Sequence, residues 1–152
     1  MLASLAVLAS AGCASAVPVE VAPYAADPLC AEVVLALPDE LDGMPRRDTT
    51  SQATVAWGEG GSPVVLRCGV EPPGPTTDAC VAADDGTTSV DWVLVEGEPR
   101  ADGAADWTFT TYGRSPAVEV FVPADVAASR STSFLIDLGP AVSRVEQTRA
   151  CL

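Results

Sequence analysis

The sequence contains no histidine, no lysine and no asparagine, and only 5% of its 152 residues are aromatic. Each absence closes a class of chemistry. Without histidine there is no Ser-His or Cys-His nucleophile system, and the commonest general base and metal ligand is missing. Without lysine there is no Schiff-base amine. All positive charge rests on 8 arginines against 21 carboxylates, a formal charge of −13 with a pI near 4.1. That balance excludes nucleic acid as a partner, because binding through phosphates needs basic side chains to replace counterions. What is present is the composition of a folded protein: 48% hydrophobic and 19% charged, too little charge for a disordered acidic tail. The length suits one domain, which most often runs to about 100–150 residues.

Residues 1–12 carry no charge and are mostly Leu, Ala and Val. A membrane-spanning helix needs about 20 apolar residues, so this run is too short to cross a bilayer. It matches the apolar region of a secretory signal, typically about 7–15 residues long. Ser10-Ala11-Gly12-Cys13 resembles the bacterial lipoprotein signal, in which small residues precede a cysteine that receives a diacylglyceryl group and becomes the new N-terminus. The expectation is therefore a signal peptide at 1–12 and a lipidated Cys13 holding the protein on the outer face of the cytoplasmic membrane. Ser10 stands where leucine is usual, and no Arg or Lys precedes the apolar run, which points to a start codon upstream of Met1 or a trimmed chain. The competing reading is plain secretion after Ala14-Ser15-Ala16, releasing a soluble domain that begins at Val17.

Five cysteines stand at 13, 30, 68, 80 and 151. Assigning Cys13 to lipid leaves an even number, suited to two disulfides in an oxidising compartment. No pair has the C-x-x-C spacing of a redox centre or zinc ribbon, and no cofactor or metal is expected. Cys68–Cys80 across a proline-rich loop and Cys30–Cys151 across the domain is the favoured pairing. The pairings 30–68 with 80–151 and 30–80 with 68–151 stay open.

The stretch 13–28, with Pro18, Pro23 and Pro28, reads as the lipidated cysteine and a semi-rigid tether, and residues 29–152 as one extracytoplasmic domain. Asp27-Pro28 starts a short helix that carries Leu29, Val33 and Leu37 at four-residue spacing and stops at Pro38. Asp39 to Gln52 reads as loop. Alternation then predicts strands around Ala53–Trp57, Val64–Val70, Val90–Val95, Trp107–Thr111 and Val118–Val122, the third nearly apolar on both faces and so placed centrally. After Pro123 the period changes, and Phe134, Leu135, Leu138, Val142 and Val145 share one helical face with a break at Gly139-Pro140. The expected fold is α+β: an antiparallel sheet of about five strands with an N-terminal helix and one or two C-terminal helices on one face.

Leu37-Pro38 after Cys30, Ala56-Trp57-Gly58, Leu66-Arg67-Cys68-Gly69-Val70, Val90-Asp91-Trp92, Gly113-Arg114-Ser115-Pro116 and Val120-Phe121-Val122-Pro123 follow one another in that order. As an ordered set they resemble a family of small actinobacterial envelope proteins and lipoproteins of unknown function. The resemblance implies export and a common fold, and it implies no activity and no site residues. A chain without Lys or Asn but rich in Ala, Val and Arg is consistent with a GC-rich genome.

Among the side chains, Arg67 and Arg114 are the candidate contacts to a ligand or partner, since an arginine fork recognises carboxylate or phosphate. The competing reading is a structural ion pair with one of the many acids. Arg46-Arg47 reads as a solvated pair. Trp57, Trp92 and Trp107 read as core, each with a partner for its indole N–H. Asp84-Asp85-Gly86 and Asp102 with Asp106 read as turn chemistry rather than calcium ligands. The functional expectation is a non-catalytic, membrane-anchored module that binds an envelope protein or cell-wall component. The alternative is a small paired-carboxylate hydrolase acting on cell-wall glycan, which needs two acids about 5–9.5 Å apart.

Overall fold

The computed structural model describes residues 15–151. Cys13 and the apolar segment before it lie outside the described residues. Asp27 accepts the Leu29 amide at 2.9 Å and Pro28 occupies the first turn of helix α1 (Pro28–Ala36). The helix ends before Pro38, and Arg46 closes it by donating to the carbonyls of Val34 and Leu37 at 3.2 and 3.0 Å. Arg46 is thus a helix cap rather than half of a solvated pair. Its neighbour Arg47 donates to the Gly58 and Gly60 carbonyls and braces the next turn.

Eight antiparallel strands form one sheet: β1 (Glu40–Leu41), β2 (Met44–Arg47), β3 (Thr54–Trp57), β4 (Val64–Val70), β5 (Ala79–Asp84), β6 (Ser89–Glu96), β7 (Trp107–Thr111) and β8 (Ala117–Val122), in the order β1-β2-β3-β4-β8-β7-β6-β5. Two meanders are therefore zipped together by β4 and β8, in the register Leu66↔Val120 and Arg67↔Glu119. The chain crosses from the middle of the sheet to its far edge between β4 and β5. Four strand spacings are about 19 Å, which the extended, proline-rich segment after Val70 covers without secondary structure of its own.

The sheet has eight strands where about five were expected. β1 and β2 lie within the expected loop, turned by Asp42 and Gly43, both at positive φ, as a tight hairpin requires. β5 is composed of small residues and offers no alternation strong enough to read. β6 is the penultimate strand, not a central one: Val90 and Trp92 face the core while Val95 is exposed.

One face of the sheet is covered. Val55, Trp57, Leu66, Trp92, Phe109 and Val120 pack against Val33 of α1 and against Phe134, Leu135, Leu138 and Val142. Those last side chains come from a 3₁₀ segment (Thr132–Leu138) and helix α3 (Gly139–Val142), which follow helix α2 (Ala124–Ser129). The break at Gly139-Pro140 falls between the 3₁₀ segment and α3. Burying each such Val, Leu or Phe contributes about 1.5–3 kcal/mol, so this layer carries the fold. No helix among the described residues is long and apolar enough to cross a membrane.

The segment expected to be a tether is part of the domain from Val17 onward. Val17 donates to Asp48 O at 2.8 Å and accepts from Thr50 N, and Tyr24 donates to Gly69 O at 2.8 Å. Ala22 and Ala25 form a small apolar cluster with Val70 and Ala117.

The disulfides are Cys30–Cys68 and Cys80–Cys151, with Cα separations of 5.4 and 6.3 Å. The favoured pairing is thereby corrected to one of its alternatives. The cause is topological: α1 lies over β4, so Cys30 meets Cys68, while the chain end runs back across the outer face to β5. In the chain-entropy picture loops of 38 and 71 residues are each worth about 4 kcal/mol. Cys80→Ala/Cys151→Ala is expected to cost about 2–4 kcal/mol and to free the chain end. Hydrogen exchange should show the Thr148 and Cys151 amides losing protection while β4 and β8 keep theirs. Loss across β4 and β8 would show that this bridge holds the whole sheet.

Candidate functional site

The alternation that sends Val64, Leu66 and Cys68 into the core sends Val65 and Arg67 to the other face. In β8, Glu119 and Phe121 take the same side. Among the described residues no helix covers this outer face. Its two ends are strapped by the chain itself. At one end Val17–Glu20 runs over the β3 side, pinned by Val19 N to Thr50 Oγ1 at 3.0 Å. At the other, the chain after Val145 crosses β6 and β5. Between the straps lies a groove of about 550 Å³. Val65, Arg67, Glu119 and Phe121 form its floor, Val17–Glu20 one wall, and Arg100 with Asp106 the other. Phe121 is 37% exposed.

Both guanidinium groups in the groove are held by carboxylates. Arg67 donates through Nε and Nη2 to Glu119 Oε1 at 3.0 and 2.7 Å, across the β4–β8 register. Arg100 donates to Asp125 at 2.8 Å and lies 3.4 Å from Asp106. Asp106 also accepts the Ala124 amide at 2.7 Å, fixing the start of α2. Arg67 and Glu119 retain 27% and 20% side-chain exposure, so the pair is accessible from the groove.

Arg114 is elsewhere. It sits in the turn between β7 and β8, 5% exposed, and points inward. It donates to the carbonyls of Val145 and Ser89 and to Gln147 Oε1, and Gln147 in turn donates to Asp91, which also accepts the Cys151 amide at 2.9 Å. Burial draws its pKa below the ordinary arginine value and the nearby Asp91 opposes that shift. The structure does not bring the two candidate arginines together. Arg67 lines the groove as half of an ion pair, and Arg114 ties the C-terminal strap to the sheet.

The family model for proteins of unknown function designated DUF3515 matches residues 1–151. The chain belongs to the DUF3515 family. No curated protein and no solved structure matches it.

In this DUF3515 chain the tryptophans are largely core. Trp57 donates to Pro38 O at 3.0 Å, Trp92 is fully buried with no partner for Nε1 among the described residues, and Trp107 is half-buried edge-on to Phe109. The expectation that each indole N–H is paired fails at Trp92. Asp84, Asp85 and Asp102 accept amides of their own turns. The Thr88 and Thr87 amides hold the Asp85 carboxyl below the usual carboxylate range. Among the described residues no three His, Cys, Asp or Glu side chains are placed to hold a metal ion.

Glu119, Phe121 and Arg100 belong to the groove without having been singled out in the sequence, and Asp106, read there as turn chemistry, instead pairs with Arg100 and accepts the distant Ala124 amide. The signal was there in part: Val65, Arg67, Glu119 and Phe121 are the off-phase positions of two strands, and only their adjacency was missing. Arg67→Met is expected to cost about 1 kcal/mol, as for a partly exposed pair, whereas Arg67→Met/Glu119→Leu should be nearly neutral. A double-mutant cycle on urea midpoints measures the difference. A single substitution costing over about 3 kcal/mol would make the pair a structural keystone instead of an accessible feature of the groove.

Proposed function

We propose that the chain is an extracytoplasmic lipoprotein, anchored to the outer face of the cytoplasmic membrane through Cys13, that binds a protein or envelope component without catalysing a reaction. The observation that carries the binding reading is the groove itself. It is an uncovered stretch of sheet face with an apolar floor at Val65 and Phe121, in a domain whose other face is fully used by the core. The groove's two carboxylates at the floor and the Arg100 wall, Glu119 and Asp106, are each engaged by an arginine. A glycosidase needs one acid kept protonated and another free to attack or activate water, and arginine pairing works against the first. That supports a binder over the carboxylate hydrolase. Export is supported by two disulfides, which persist in oxidising compartments. Anchoring is supported by Ser10-Ala11-Gly12-Cys13.

The test is the mass of the mature protein made in its native host, with phase partition in a cloud-point detergent. A chain beginning at Cys13 with a diacylglyceryl adduct in the detergent phase is expected, and Cys13→Ala should leave the protein unprocessed or in the aqueous phase. A mature N-terminus at Val17 would replace anchoring with plain secretion.

A further inference from the structure

Val17 is the first described residue that is buried, and it is also part of the groove wall. It is fixed there on both sides, donating to Asp48 O and accepting from Thr50 N. Four links separate it from Cys13. Whatever conformation they take, they span at most about 14 Å. The sheet, by contrast, is about 33 Å wide, with seven spacings between its eight strands. An anchor at Cys13 is therefore leashed to the rim of the groove and cannot swing to the β5 edge. The groove is held beside the bilayer.

Its charge then selects the occupant. The lining carries Glu20, Asp106 and Glu119 against Arg67 and Arg100, and both arginines already have carboxylate partners. An anionic headgroup meets no unengaged guanidinium there, and the chain as a whole carries −13. A neutral or cationic polypeptide meets an apolar floor and, at Glu20, a carboxylate with no arginine partner among the described residues.

We infer that the groove beside Val17–Glu20 receives the membrane-proximal extracytoplasmic segment of an integral membrane protein, neutral or basic in charge, with an apolar side chain seated on Val65 and Phe121. This rests on lipidation of Cys13 for its orientation. The following experiment supplies the anchor chemically, so that its failure is distinct from a failure of lipidation in the cell.

The chain from Cys13 onward has one thiol outside its disulfides and can be coupled there to a maleimide lipid in phosphatidylcholine vesicles. The vesicles carry a gadolinium-chelate headgroup, and trifluoromethyl-phenylalanine replaces Phe121 or, on the β5 edge, the exposed Ala82. Paramagnetic broadening of the fluorine signal is expected to be at least five-fold greater at 121 than at 82. A twenty-residue Gly/Ser spacer inserted after Ala16 should abolish the difference. Equal or reversed broadening without the spacer would overturn the orientation. For the occupant, benzoyl-phenylalanine at 121 in cells of the native host should crosslink to an integral membrane protein, with at least a five-fold fall when the spacer is present. Adducts with phospholipid alone, with a soluble protein, or unaffected by the spacer would overturn the assignment.

Discussion

Arg114→Ala is expected to lower stability by about 3–5 kcal/mol, a large share of the 5–15 kcal/mol that holds a domain together. Arg114 lies 5% exposed and gives hydrogen bonds to Val145 O, Ser89 O and Gln147 Oε1. Truncation leaves those acceptors buried without their donor and leaves Asp91 without a neighbouring positive charge. Gln147 and the Cys151 amide both bond to Asp91, so the loss spreads along the C-terminal strap. Gly113 adds a steric constraint beside it: a β-carbon there would overlap the Arg149 carbonyl, so strap and turn are closely packed. Arg114→Lys should recover little, because one ammonium on a flexible stem cannot reproduce the planar fork. A thermal midpoint lower by roughly 10–20 °C, with early exchange at Thr148, is the expected result. A change below about 1 kcal/mol would mean that the guanidinium is solvated and not the tie described.

Gly69→Ala is expected to cost about 3–4 kcal/mol and to lift the N-terminal segment off the sheet. Gly69 interrupts β4 at φ +93°, a region that L side chains avoid, and a β-carbon there would collide with the backbone of Tyr24 and Ala25. Backbone atoms cannot rotate away, so relief requires breaking the Tyr24 N to Gly69 O bond and unpacking Ala22 and Ala25. Gly43→Ala provides the comparison. It has a similar φ of +76° but nothing within 4 Å, and should cost only the conformational strain of about 1 kcal/mol. Urea unfolding of the two variants separates collision from strain. Equal costs would show that the segment is not seated on Gly69.

What the sequence reveals follows the range of the interactions concerned. Helix α1 is legible because its signals are local: Asp27 caps, Pro28 starts and Pro38 stops it. The strands around Val55, Leu66, Phe109 and Val120 are legible because large apolar side chains alternate there. β2 is hidden by Pro45-Arg46-Arg47, whose role is to cap a helix and brace a turn. Even so, Asp42-Gly43 carried a hairpin signal that the polar surroundings masked. β5 is hidden by small residues whose strand state is fixed by pairing with β6. The packing of Val17–Ala25 is hidden because it depends on a glycine far along the chain.

The same reasoning explains the site. Arg67 was visible as a scarce cation on a strand, but Glu119, its partner, stands 52 residues away, and nothing in the spacing joins them. The disulfide pairing likewise depends on α1 lying over β4. Long-range register decides these features, and periodicity does not record register.

The most direct test of the binding face compares two exposed apolar positions on opposite sides of the sheet. Phe121 lies in the groove and Leu35 on α1. Each is replaced by glutamate in the full chain, and both variants are checked for unchanged urea midpoints. Proteins captured in the native envelope by carbodiimide, which joins this lysine-free chain's carboxylates to a partner's amines, are quantified by mass spectrometry. Phe121→Glu should reduce the principal adduct at least ten-fold while Leu35→Glu leaves it intact. An adduct unaffected by Phe121→Glu, or lost with Leu35→Glu, would contradict the assignment of the groove as the binding face.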